Sequence, residues 1–280
     1  MKVLVTGVKG QLGYDVVKRL NALGIENKGV DIEDFDLTDE VAVLNAVCAY
    51  SPDVVVHCAA YTAVDAAEDN RDACYNVNVL GSRNIAYACR ELSAKMVYIS
   101  TDYVFNGQGE AFFLPDDKKE PINWYGETKS LGEDEVTRLL DKFVIIRISW
   151  VFGKNGKNFV KTMLRLGAER DELSVVCDQI GSPTYTVDLA HLICDMIKTD
   201  KFGIYHATNE DVCSWAEFTE EILAQAGLKA KVNHIPSSAY PSRAARPANS
   251  RMSKDKLDEN GFKRLPSWQD ALSRYLEELK

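Results

Sequence analysis

Short apolar runs and helix-period stretches alternate through the first half of the chain. "KVLVT" is followed by a helical pattern from about Gln11 to Leu23, "NKGVD" by one around Glu40 to Tyr50, and "DVVVHCAA" by a longer one around Ala73 to Leu92. "KMVYIST", a helix carrying Tyr125, and "FVIIRIS" complete the series. Valine- and isoleucine-rich runs without polar alternation suit strands covered on both faces, and the intervening helices supply the crossovers. The pattern therefore predicts an α/β fold with a doubly wound parallel sheet of the Rossmann type. Beyond Trp150 the rhythm loosens: a helix from about Asn158 to Leu166, a strand "LSVVC", a helix at Val187 to Ile197, and a strand "GIYHATN". A helix starting near Ser214, a loop from Pro236 to Arg251 and a terminal helix from Trp268 follow. This predicts a Rossmann-type unit over 1–150, and over 151–280 late elements of the same sheet interleaved with a smaller C-terminal subdomain.

The remaining composition narrows the classes of function. At 280 residues the chain can bury a large core without covalent staples. Its seven cysteines are scattered with no Cys-x-x-Cys pair, which fits reduced thiols in a cytoplasmic setting. A formal net charge of −9, with no run of lysine or arginine, argues against nucleic acid as a partner. The amino terminus opens on a strand pattern, and no apolar run is long enough for a signal peptide or membrane span, so no membrane role is expected. The four histidines form no ligand constellation; His57 sits inside "VVVHCAA" as a core position, and no metal is expected.

Three features carry chemistry. Gly7, Gly10 and Gly13 stand in Gly-x-x-Gly-x-x-Gly spacing between the first strand and first helix, where glycines let the backbone approach a pyrophosphate and the helix terminus offers N–H groups. Asp31 ends the second strand, placed either to bind an adenosine ribose hydroxyl, favouring NADH over NADPH, or to cap the following turn. Lys9 and Lys28 soften that preference. Tyr125 and Lys129 are one helical turn apart, so a cation lies beside a phenol that is otherwise a poor acid near neutrality. The Thr101 hydroxyl, at the end of "YISTDYVF", can hold a substrate carbonyl while Tyr125 protonates its oxygen. The loop holding Pro241, Arg243, Arg246 and Pro247 reads equally as a ligand contact and as a solvated loop.

Together these motifs resemble the extended short-chain dehydrogenases/reductases. "GQLG", "AAYTAVDAAE", "STDYVFNG", "YGETK", "RISWVFG", "GSPTY" and "RPANS" follow in order across nearly the whole chain, a series similar to the dTDP-4-dehydrorhamnose reductase family. The resemblance implies reduction of the 4-keto group of a dTDP-4-keto-6-deoxy sugar, dTDP-4-dehydro-L-rhamnose, by NADPH or NADH. It implies cofactor contacts from Gly7, Gly10, Gln11, Leu12, Gly13, Asp31, Asp36, Leu37, Ala59, Ala60, Tyr61 and Thr62, with Tyr125 and Lys129. It further implies sugar-nucleotide contacts from Thr101, Asp102, Tyr125 and Trp150, a diphosphate contact from Arg246, and catalysis by Tyr125, Lys129 and Thr101. Some relatives dimerise through a metal bridged by acidic side chains; only Asp15 stands at such a place here, and the expectation is a monomer or homodimer. The rival readings are another nucleotide-sugar reductase or epimerase of the superfamily, or a non-catalytic regulatory subunit resembling that of methionine adenosyltransferase. Retention of Thr101, Tyr125 and Lys129 together argues against the last.

Overall fold

In the computed structural model, which describes residues 1–280, the apolar runs become the strands Lys2–Thr6 (β1), Glu26–Val30 (β2), Val54–His57 (β3), Lys95–Thr101 (β4) and Phe143–Ile148 (β5). Three more strands of four or five residues follow, Glu172–Val176 (β6), Gly203–His206 (β7) and Lys231–Ile235 (β8), beside two-residue pairings. The helices that position the site are Gln11–Ala22 (α1), Glu40–Tyr50 (α2), Ser82–Leu92 (α3), Trp124–Leu139 (α4), Phe159–Glu169 (α5), Thr186–Met196 (α6), Trp215–Gln225 (α7) and Trp268–Leu279 (α8). No helix is long and apolar enough to cross a membrane.

Six strands form one sheet in the order β7-β5-β4-β3-β1-β2, with every pairing parallel. Side chains alternate across it, as strand geometry requires. Val3, Val5, Val54, Val56, Val97, Val144 and Ile146 pack on one side with α1 and α6, through Leu12, Val16, Leu189 and Ile193. Leu4, Val55, Met96, Tyr98 and Ile145 pack on the other with α2, α3 and α4. Each fully buried valine or leucine contributes roughly 1.5–3 kcal/mol relative to exposure, so this two-sided burial explains why the runs lack polar alternation. A third core joins Phe152, Val160, Leu173, Phe218 and Trp268 beneath the second half of the chain.

Strand β7 extends the main sheet beside β5, but "LSVVC" does not join it. That run becomes β6 and pairs with β8 in a separate two-stranded sheet. The pattern gave no sign of β8 because "KVNHI" has no fully buried position and carries no apolar run. The helix expected from Ala73 begins at Arg71 and contains a π-helical stretch, Asn76–Gly81, before α3. Because the chain moves from β1 outward to β2 and then crosses back to β3, the strand order reverses between the carboxyl ends of β1 and β3, the place where such sheets leave a crevice for ligands.

Candidate active site

The crevice starts at the glycine turn. Gly7 has φ 70°, and a Cβ there would lie 2.7 Å from the Ala59 Cα just beyond β3. A Cβ at Gly13 would come within 2.3 Å of the Gly7 carbonyl oxygen. Only glycines allow this closeness, which brings the amino terminus of α1, capped by Gly10, to the floor of a cavity of about 510 Å³. Gln11 lines the same floor, its side-chain oxygen accepting from Asn158 Nδ2 at 2.9 Å, while Asn155 Nδ2 donates to the Lys9 carbonyl at 2.7 Å. Leu12 and Gly13 complete it. Through Gly7, Asp31, Ala59 and Ala60 this cavity joins a second of about 270 Å³, walled also by Asp36, Leu37 and Tyr61. Asp31 faces both, yet its carboxylate accepts backbone N–H groups from Lys9 at 2.8 Å and Ile32 at 2.9 Å. The Lys9 bond ties the end of the second strand to the glycine turn.

At the other end of the 510 Å³ cavity stand Thr62, Thr101, Asp102, Tyr125, Lys129 and Trp150. Asn123 caps α4 by accepting from the Gly126 N–H at 2.8 Å, which fixes the helix start at Trp124, one residue before Tyr125. Thr101 donates to Asp102 Oδ1 at 2.9 Å and accepts from the Tyr103 N–H at 3.2 Å. Burial raises the Asp102 carboxyl to about 6, against hydrogen bonds from Ser250 and Thr101. Burial, and then the Asp102 carboxylate, push the Tyr125 phenol well above its ordinary value, and a hydrogen bond with Thr101 opposes them. The Lys129 ammonium lies over the Tyr98 ring, 4.0 Å from its centroid. Burial lowers it to about 7, resisted chiefly by Glu133. His57, expected as a core residue, bonds Thr6 Oγ1 at 2.8 Å and is lowered to about 3 by burial and by Lys129, so it is a neutral imidazole.

Trp150 has φ 49°, a conformation few non-glycine residues adopt, and stacks on Trp215 with centroids 3.7 Å apart. The pair borders a third cavity of about 600 Å³, which shares Thr62 and Tyr103 with the first and is walled by Gln179, Tyr240 and Arg246. Arg246 is already engaged: its two terminal nitrogens donate to the two Asp65 oxygens at 3.0 and 2.9 Å. Arg243 pairs with Asp69 beside it, and Asn123 Nδ2 holds the Ala245 carbonyl at 2.7 Å, so the loop is fastened to both "AAYTAVDAAE" and the start of α4. Asp15, by contrast, is turned inward at 2% exposure and accepts from Thr186 Oγ1 at 2.6 Å, between α1 and α6.

Four contributors escaped the sequence reading. Asp65 stood inside a quoted motif without being singled out. Glu133 follows Lys129 by one helical turn, a spacing that could have flagged it. Trp215 reaches the site only through tertiary packing. Asn78, in the π-helical stretch, accepts the Tyr61 N–H at 2.8 Å and donates to Thr128 Oγ1 at 3.0 Å, a role no local pattern announces.

The whole chain, residues 1–280, matches the family model described as RmlD substrate binding domain. It is 40% identical to a spore coat polysaccharide biosynthesis protein, SpsK, of Bacillus subtilis, covering 99% of this chain and 97% of that one. It is 39% identical to the dTDP-4-dehydrorhamnose reductase of Aggregatibacter actinomycetemcomitans, covering 97% of each. A crystal structure of dTDP-4-dehydrorhamnose reductase from Bacillus anthracis in complex with NADP superposes with a TM-score of 0.97 at 43% identity, over 99% of both chains. With this match running end to end over a parallel sheet and a glycine turn leading to Thr101, Tyr125 and Lys129, the chain belongs to the dTDP-4-dehydrorhamnose reductase family.

Proposed function

We propose that the protein reduces the 4-keto group of dTDP-4-dehydro-L-rhamnose to give dTDP-L-rhamnose, with NADPH or NADH as reductant. The observation that carries this reading is a single cavity lined at one end by Gly7, Gly10 and Gln11 and at the other by Thr101, Tyr125 and Lys129. The residues present fit a dinucleotide: the space a Cβ would fill at Gly7 and Gly13 admits close backbone approach, the α1 terminus favours a pyrophosphate, and the adjoining 270 Å³ cavity suits an adenosine. When bound, the reduced nicotinamide supplies the hydride.

Tyr125 donates the proton to the 4-oxygen. Its elevated affinity for that proton, set by burial and Asp102, keeps the phenol protonated at neutral pH, the form a reduction requires. Lys129 stabilises the negative charge that develops on the phenol oxygen once the proton leaves. Thr101 orients the carbonyl oxygen by turning its one hydroxyl proton from Asp102 Oδ1 to the substrate. Ala60 and Thr62 line the cavity between the two ends, and Tyr61, whose backbone N–H is accepted by Asn78, walls the adjoining 270 Å³ cavity. Trp150 supplies a wall for the sugar. Arg246 meets the diphosphate with the N–H groups that Asp65 leaves free, or exchanges Asp65 for it. The reading is tested by mixing purified protein with NADPH or NADH and a panel of nucleotide sugars. Nicotinamide absorbance should fall with dTDP-4-dehydro-L-rhamnose, whereas turnover confined to a different nucleotide sugar would redirect the substrate assignment.

A further inference from the structure

Lys129 is 2% exposed, and its ammonium rests on an aromatic ring rather than on a carboxylate. A buried ammonium costs free energy unless a negative charge is fixed near it. The groups that face it are few. β3 and the residue after it bring His57 and Cys58, the helix Arg71–Tyr75 brings Cys74, and β4 brings Tyr98. Helix α4 itself brings Tyr125 and Glu133, and β5 brings Arg147 behind Glu133. His57 is neutral, burial pushes the Cys58 thiol up to about 12 and raises Cys74, and burial likewise raises both phenols. Glu133 is therefore the one carboxylate in the set.

It is also immobilised. Glu133 lies one turn beyond Lys129, at 1% exposure, and both of its oxygens are held. Arg147 donates Nε to Oε1 at 2.9 Å and Nη2 to Oε2 at 2.8 Å. Ser100, the neighbour of Thr101, donates to Oε1 at 2.5 Å, and the Lys119 ammonium stands 3.6 Å from Oε2. Burial pushes the Glu133 carboxyl upward, but Arg147, Lys119 and Ser100 more than offset it, so the group stays ionised. A buried ion pair of this sort is weak evidence of stability, because apolar residues of similar volume often serve as well.

We propose that Glu133, clamped by Arg147, is a positioning residue for the reduction: it is the fixed negative charge that keeps Lys129 an ammonium beside Tyr125. This rests on the reading that Lys129 serves Tyr125. A neighbouring opposite charge favours an ammonium by about one pH unit or more, so its removal has a signed consequence. As pH rises, a Lys129 without Glu133 loses its proton earlier.

The test compares pH profiles of kcat for the parent, Glu133→Gln, Glu133→Asp and Lys129→Met, using NADPH and dTDP-4-dehydro-L-rhamnose, with thermal melting as the folding check. The expected result is that the alkaline limb of the parent moves to lower pH by about one unit or more in Glu133→Gln. Glu133→Asp should restore most of that shift, and the substrate KM should change less than kcat. In Lys129→Met the Lys129 limb should vanish, leaving a profile governed by Tyr125 alone at higher pH. A Glu133→Gln limb unmoved from the parent's, while Lys129→Met removes it, overturns the proposal and leaves the role of Lys129 standing. A parent-like limb in Lys129→Met removes that role and the proposal together. Should Glu133→Gln fail to fold, Glu133→Gln combined with Arg147→Met deletes both buried charges. A smaller shift in the same direction is then expected, and an unmoved limb again overturns the proposal.

Discussion

The chemistry turns on a phenol that must hold its proton until hydride arrives. Tyr125→Phe removes one hydroxyl and little packing, so kcat should fall on the order of a hundred- to ten-thousand-fold while NADPH affinity stays near that of the parent; stopped-flow turnover with cofactor titration reads both, and near-normal turnover would make Tyr125 a packing residue. Arg246 leads to a different expectation because it is already paired. Arg246→Ala should raise the substrate KM roughly ten- to a hundredfold, partly by leaving the Asp65 carboxylate unpaired beside the diphosphate. Adding Asp65→Asn should therefore recover part of the loss, and strict additivity of the two changes in KM would show that Asp65 and Arg246 act separately. At this scale Tyr125, Lys129 and Thr101 were legible because their chemistry follows from residue type and spacing. Asp31 was half legible: its place at the strand end could be read, but which of two hydrogen-bonding roles it fills depends on where the Lys9 N–H points. The carboxylate that neutralises Arg246 comes from a segment 181 residues away, which no local pattern encodes.

The glycine turn is the element on which cofactor binding depends. Because a Cβ at Gly13 would meet the Gly7 carbonyl at 2.3 Å, Gly13→Ala must shift the turn or the first residues of α1. Dinucleotide affinity, measured by fluorescence titration, should drop at least tenfold, a loss of about 1.4 kcal/mol; unchanged affinity would mean that the α1 terminus does not hold the pyrophosphate. Elements with strong apolar periodicity were legible to within a few residues, since α1 and the strands β3, β4 and β5 bury nearly every residue that the pattern marked. Strand β8 was not, because its partner β6 supplies the pairing that its own sequence fails to signal. The π-helical stretch was hidden for the opposite reason: its residues fit a helical period, and only the extra residue per turn distinguishes it. Trp150 shows the same limit, since "RISWVFG" gives no hint of a left-handed tryptophan stacked on Trp215.

Across the whole molecule, three adjoining cavities run from Asp36 and Leu37, past Tyr125, to Arg246, and each step between them shares wall residues. That continuity suits a substrate and a reductant meeting end to end, with the parallel sheet supplying the crevice and the second half of the chain supplying Trp150, Trp215 and the loop of Arg246. An acidic chain handling a diphosphate needs local cations, and the loop provides Arg246, held by Asp65 of "AAYTAVDAAE", and Arg243, held by Asp69 just after that motif. The most direct test of the account is the product formed from dTDP-4-dehydro-L-rhamnose and NADPH labelled with deuterium at its transferable position. The account predicts dTDP-L-rhamnose carrying one deuterium at C4, formed in step with NADPH oxidation and lost in Tyr125→Phe. Failure of this substrate to oxidise either NADPH or NADH, or deuterium at any other carbon, would contradict it.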